Sequence, residues 1–174
     1  MPSTSRLAAP TAIDDLLLFR LSVLLATGGA PVIRLCEGRH GITRREWRVL
    51  SLLGRHADLS PSQLAEHAHL DRARTSRTIG TLVDKQLLQR LPRPGDRRQA
   101  TLQLTDAGQA LVAEIFPRVR DINHQLLAAL SAEQVSLLDG LLDALQAQAD
   151  GLPPAADLPK ADRHRGKGRL PRTD

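Results

Sequence analysis

Residues 59–77 read LSPSQLAEHAHLDRARTSR and residues 91–104 read LPRPGDRRQATLQL. In the first stretch, Ser60 to Gln63 forms a capping box with Pro at the first helical position, opening a short helix from Pro61 to about His67. Asp71 is a good N-cap for a second helix running to about Leu88, with Ile79, Leu82 and Val83 facing inward. The first turns of that helix carry Arg72, Arg74, Thr75, Ser76 and Arg77. Positive charge there opposes the helix macrodipole, an arrangement that makes sense against a polyanion. In the second stretch, Pro92 to Arg98 is rich in turn residues and Arg. It separates two segments, Leu87–Leu91 and Thr101–Leu104, that can pair as a hairpin.

Working outward, Thr43-Arg44-Arg45-Glu46 is another capping box, and it starts a helix to about Arg55 with Trp47, Val49, Leu50 and Leu53 on its buried side. Before it, Ile13 to Ala26 is apolar at helical spacing, and Pro31 to Arg39 continues as a second helical piece. After the hairpin, Thr105 caps a long helix through Val112 and Ile115 and, past a kink expected at Pro117, Val119, Ile122, Leu126 and Leu130. Ser131-Ala132-Glu133-Gln134 opens a last helix carrying Leu137, Leu138, Leu141, Leu142 and Leu145. Helix, short helix, Arg-headed helix and basic-tipped hairpin, in that order, make a winged helix-turn-helix. The third helix of such a module enters the DNA major groove, and the hairpin tip reaches the backbone or the adjacent minor groove. Arg suits guanine edges and narrow minor grooves, while Ser and Thr serve phosphates and bases.

Composition agrees. The 174 residues are 41% hydrophobic, enough for a core, but include only two Phe, one Trp and no Tyr, which disfavours β-rich folds and base-stacking single-strand binders. Arg39 to Arg98 holds 13 Lys/Arg against 6 Asp/Glu, a balance of +7, whereas Asp106 to Asp150 holds 2 against 7, a balance of −5. A basic middle on a more acidic scaffold is the electrostatic footprint of a polyanion binder. One cysteine, Cys36, excludes an intrachain disulfide framework and a thiolate zinc cluster. With no signal-peptide pattern and no membrane-length apolar run, the expected location is cytoplasmic.

The chain resembles the MarR-type (multiple-antibiotic-resistance regulator) winged-helix repressors from Ile13 to about Leu145. The resemblance is densest in Leu59-Ser60-Pro61-Ser62-Gln63-Leu64-Ala65-Glu66, Leu70-Asp71-Arg72-Ala73-Arg74-Thr75-Ser76-Arg77, Gly95-Asp96-Arg97-Arg98 and Leu104-Thr105-Asp106-Ala107-Gly108. It implies a mainly α fold with a small two- to three-stranded antiparallel wing and an all-helical dimerisation region from the N- and C-terminal helices. The expected plan is a flexible start (1–12), the family domain (13–150) and a disordered basic tail (151–174). Within the domain, dimerisation helices span about 13–40 and 106–149 around a winged helix-turn-helix at about 43–105. It further implies a homodimeric repressor on a pseudo-palindromic operator, with Arg98 in the minor groove, oriented by Asp96, and base contacts through Ala73, Arg74 and Arg77. The whole DNA-contact set expected is Ser60, Ser62, Arg72, Ala73, Arg74, Thr75, Ser76, Arg77, Arg93, Asp96, Arg97 and Arg98. Gly80, in mid-helix, costs about 1 kcal/mol of propensity and points to close helix packing.

The family's effectors are often small phenols or aromatic carboxylates. Trp47 stands in the sequence near Arg20, Arg34, His40, Arg45 and Arg48, and Arg20, His40 and Trp47 are the ligand residues expected, by stacking and charge-assisted hydrogen bonds. No catalytic constellation, cofactor loop or metal spacing is present: His67 and His69, two apart, do not match the i, i+4 spacing of helical zinc ligands. Cys36, with no Tyr in the chain, does not match the family's peroxide-sensing branch and reads as a buried structural residue. The chief alternative is a winged-helix module that uses its helices for protein–protein contact, which has no use for the Arg-rich helix and wing. A small hydrolase or transferase lacks a site.

Overall fold

The computed structural model describes residues 5–93 and 96–153, without the side chains of 93 and 96–99. It divides into two compact units, Met1–Ala129 and Leu130–Asp174. In the first, a 3-10 turn (Ile13–Asp15) precedes α1 (Leu17–Gly28), and α2 (Ala30–Ile33) runs into a π-helical turn (Arg34–Arg39). Then come α3 (Arg44–Arg55), α4 (Pro61–His67), α5 (Arg72–Asp84), strands β1 (Leu88–Arg93) and β2 (Asp96–Leu104), and α6 (Asp106–Leu127). The second unit contains α7 (Ala132–Asp150), where Leu137, Leu138, Leu141, Leu142 and Leu145 are all exposed. No single helix among the described residues is long and apolar enough to cross a membrane.

The capping signals are realised in hydrogen bonds. Thr43 accepts from the Glu46 N–H at 3.1 Å, Ser60 from Gln63 at 3.3 Å, Asp71 from Arg74 at 2.9 Å and Ser131 from Gln134 at 3.3 Å. Each satisfies one of the four N–H groups a helix start leaves unpaired, which contributes about 1 kcal/mol. The core gathers Ile42, Val49, Leu50, Leu53, Leu64, Ile79, Leu82, Leu88, Leu102 and Ile115 around the helix-turn-helix, together with Trp47 and Cys36. The hairpin is antiparallel, Leu88 opposite Leu104 and Leu91 opposite Thr101. Leu59 adds an isolated bridge, its carbonyl accepting from the Leu102 N–H at 2.9 Å.

Three boundaries differ from the sequence reading. The N-terminal helix starts at Leu17 rather than Ile13, because the Asp15 carboxylate gathers the N–H groups of Thr11 and Ala12 at 3.0 and 3.2 Å and holds Ile13–Asp15 as a separate turn. Those bonds hold the Asp15 carboxyl below its ordinary pKa, the Thr11 N–H contributing most. Helix α5 ends at Asp84 rather than Leu88: Gln86 turns left-handed (φ 56°), and the N–H groups of Leu87 and Gln86 close on the carbonyls of Leu82 and Val83. That is a Schellman stop built on a residue other than glycine, and it releases Leu88 into β1. Finally, α6 continues past Pro117, as expected, and ends at Leu127 rather than about Leu130. Gly80 also departs from expectation, since a Cβ built there meets nothing within 4 Å, so no packed neighbour requires the glycine.

Candidate nucleic-acid interface

Helix α5 sorts its residues by helical phase. Thr75, Thr78, Ile79 and Leu82 are buried, whereas Arg72, Ala73, Arg74, Ser76 and Arg77 are exposed. The three arginines therefore stand on the solvent side of the helix's first two turns. Arg74 lies 3.1 Å from the Asp71 carboxylate, and the Nε of Arg77 donates to the Ala73 carbonyl at 3.4 Å. Thr75 is a correction to the expected contact set: it is 1% exposed, and its hydroxyl donates to the Asp71 carbonyl at 3.0 Å. The i, i+4, i+7 spacing of Thr75, Ile79 and Leu82 already placed it on the inward stripe. Ser60 is half-buried and occupied as the α4 N-cap, while Ser62 is exposed on α4. The side chains of Arg93, Asp96, Arg97 and Arg98 lie outside the described residues.

The C-cap of α5 is tied to α3 by a partly buried ion pair between Lys85 and Glu46. Glu46, 4% exposed, accepts from the Thr43 N–H at 2.6 Å and from the Lys85 ammonium at 2.9 Å, and the same ammonium donates to the Gly41 carbonyl at 2.9 Å. Burial by itself would raise the carboxyl's pKa. The bonds from Thr43, Lys85 and Thr81 outweigh it and hold the group below the ordinary glutamate range.

Trp47, 7% exposed, borders a cavity of about 810 Å³ walled by Val32, Arg44, Arg48, Ser51, Phe116 and Val119, between α3 and α6. The expected ligand trio does not assemble there. Arg20 is exposed on α1 and takes no part in the cavity's wall. His40 borders a different cavity, of about 600 Å³, with Lys85, Leu111 and Glu114; its Nε2 is buried and lies 3.9 Å from the Glu114 carboxylate. The guanidiniums beside Trp47 are those of Arg44 and Arg48, and Arg48 also donates to the Ala68 carbonyl at 3.3 Å. Helical phase was the available signal: Arg44 and Ser51 stand three residues before and four after Trp47, on one face of α3. Cys36 is fully buried and its thiol pushed up in pKa, by burial first and by Glu37 second. His67 stacks on His56 with ring centroids 4.9 Å apart, while His69 is the left-handed residue after α4. Among the described residues no three His, Cys, Asp or Glu side chains come together as a metal cage.

Comparison with known proteins fits this architecture. Residues 40–99 match the model of the MarR family. The multiple antibiotic resistance protein MarR of Escherichia coli is 30% identical over 102 residues, covering 58% of this chain and 71% of that protein. Among solved structures, a MarR/EmrR family transcriptional regulator from Acinetobacter superposes with a TM-score of 0.75 at 25% identity, over 81% of this chain and 99% of that one. A cysteine-to-serine variant of E. coli MarR complexed with operator DNA gives 0.67 at 25% identity, over 78% and 99%. With the helix order, the hairpin and this shared sequence on one scaffold, the chain belongs to the MarR family of transcriptional regulators.

Proposed function

We propose that this chain is a homodimeric, ligand-responsive repressor that binds a pseudo-palindromic operator through α5 and the wing. The single observation that carries the reading is the set of arginines at 72, 74 and 77, all exposed on the leading turns of α5. The solved E. coli relative bound to operator DNA supports it. In this reading Arg74, Arg77, Ala73 and Ser76 address base edges and Arg72 a phosphate, while Arg93, Arg97 and Arg98, with Asp96, supply the wing's contact. The dimerisation helices are the N-terminal pair, about 13–40, and the C-terminal pair, about 106–149. The exposed leucines of α1 and α7 (Leu18, Leu24, Leu25, Leu137 and Leu141 among them) support this, since apolar faces of that extent are usually covered by a partner. A dimer must hold its recognition helices roughly 34 Å apart to enter successive major grooves.

The effector of this reading is a small planar aromatic acid or phenol held in the cavity beside Trp47, its carboxylate or hydroxyl taken by Arg44 and Arg48. By preferring a dimer with the wrong helix spacing it lowers operator affinity, by no more than its differential affinity for the two forms. A gel-shift titration of the full chain against its own upstream DNA, repeated across a salt series, tests the first part. Steep salt dependence with a sequence preference is expected, and no binding at low salt would remove DNA from the proposal and leave the protein–protein module.

A further inference from the structure

The start of α3 and the exposed side of α5 enclose a cleft of about 480 Å³, walled by Thr43, Arg45, Glu46, Arg74, Arg77 and Thr78. Three guanidiniums from two helices converge on it. The one carboxylate in the wall, Glu46, is buried and already taken by the Lys85 ammonium and the Thr43 N–H. The Thr78 hydroxyl is occupied as well, donating to the Arg74 carbonyl at 2.9 Å, and Thr81 beside it donates to the Thr78 carbonyl. Arg74 has Asp71 as a partner, whereas Arg45 is exposed and makes no ion pair among the described residues. The cleft therefore carries positive charge that its own walls do not balance.

We infer that this cleft seats one backbone phosphate of the bound duplex, anchored by Arg45 of α3, while Arg74 and Arg77 on its far wall extend past it to the base edges. The inference rests on the operator-binding reading and adds a contact outside the recognition helix and the wing. A phosphate presents two charged oxygens, and the guanidinium fork of Arg45, carried on a helix other than the one that reads bases, matches it bidentately. The positive end of the α3 dipole points the same way. A contact of this kind carries no sequence information but fixes the register of the module on DNA. It would also tie the duplex to the helix whose Arg44 and Arg48 border the Trp47 cavity.

The test uses the full chain, its upstream duplex and a scrambled duplex, with binding followed by fluorescence anisotropy across a salt series. Arg45→Ala should lower the slope of log affinity against log salt by about one per subunit and weaken both duplexes by the same factor, roughly tenfold. Arg45→Lys, which keeps the charge, should hold the slope near that of the parent. Arg118→Ala, an exposed arginine on α6 away from the cleft, controls for loss of bulk charge. Circular dichroism should be the same for all variants, because Arg45 and Arg118 are both exposed. An unchanged slope in Arg45→Ala overturns the inference, as does an equal drop in Arg118→Ala or a loss confined to the upstream duplex. Failure of the parent chain to bind either duplex would overturn the operator-binding reading itself, and this inference with it.

Discussion

Two glycines in helices should respond to alanine with opposite signs, for reasons visible in their surroundings. Gly80 lies inside α5, and a methyl group there meets nothing within 4 Å. Gly80→Ala should therefore collect the full difference in helix propensity, about 1 kcal/mol of added stability. Gly108 lies in the first turn of α6, where its N–H donates to the Thr105 hydroxyl at 3.1 Å. A Cβ there would collide with the carbonyl oxygen of Leu87 and come within 3.5 Å of the Leu104 Cβ. Leu87 cannot yield freely, because its N–H is held by Leu82 and its carbonyl accepts from the Thr105 N–H. Relieving the collision means moving α6 away from the α5–β1 junction, at a cost of about 1–3 kcal/mol for an overpacked site. Less the propensity gain of about 1 kcal/mol, Gly108→Ala should lose up to about 2 kcal/mol. For a chain of this size each kcal/mol moves Tm by about 2–4 °C. Thermal melts by circular dichroism, all at one protein concentration, would show Gly80→Ala above the parent and Gly108→Ala below it. Equal shifts of the same sign would mean that packing around these glycines does not govern their effect, and the reasoning would fail.

Other outcomes follow from the same contacts. Arg77→Ala should weaken operator binding by about 1–3 kcal/mol and relax preference at one position, read by competition between single-base variants of the duplex. The Glu46 carboxyl is held below its unfolded value, so the stability it contributes is complete above the ordinary glutamate pKa of about 4.3 and is lost as pH falls through the folded value. Urea midpoints measured from neutral pH downward should fall in the parent and fall less in Glu46→Gln. Trp47 is the only tryptophan and borders the cavity beside Arg44, so an aromatic acid that binds there should quench the protein's emission, and Arg44→Ala should raise the concentration required. Cys36, buried with its thiol pKa raised, should resist thiol reagents at neutral pH until the chain is unfolded.

What the sequence disclosed were features with a local cause. A capping box needs residues three apart, so α3, α4 and α7 start where Thr43, Ser60 and Ser131 announced, and Asp71 and Thr105 did the same for α5 and α6. Inward stripes need only phase, and Trp47, Leu50, Leu53, Ile79 and Leu82 were legible on those terms. Thr75 was legible too, but its hydroxyl drew attention to chemistry when its phase spoke for burial. The stop of α5 was not: Gln86 has no intrinsic preference for a left-handed backbone, and the bonds back to Leu82 and Val83, with the Thr105 hydroxyl donating to its carbonyl at 2.7 Å, hold it there. The cavity was hidden for the opposite reason. Its walls come from α2, α3 and α6, segments distant in sequence, so proximity along the chain wrongly joined Arg20 and His40 to Trp47.

The concentration of arginine at the start of α5 set a puzzle in electrostatics, and Asp71 resolves half of it. Its carboxylate caps the helix through the Arg74 N–H and also faces the Arg74 guanidinium, placing a negative group where the helix dipole asks for one. Arg74 is about half exposed, at 54%, so this i, i+3 pair contributes only a few tenths of a kcal/mol, most of it screened. A bidentate contact with a guanine edge discriminates by about 1–3 kcal/mol. The internal pair is thus too weak to hold Arg74 back from DNA. Arg72, Arg77 and Arg45 have no such counter-ion among the described residues, and their mutual repulsion is the part a polyanion must neutralise. An Asp71→Asn change separates the two roles, since Asn still caps the helix but leaves Arg74 unbalanced. Helix content should persist, non-specific DNA affinity should rise, and the salt slope should steepen. A slope unchanged from the parent would show that Asp71 serves the cap alone.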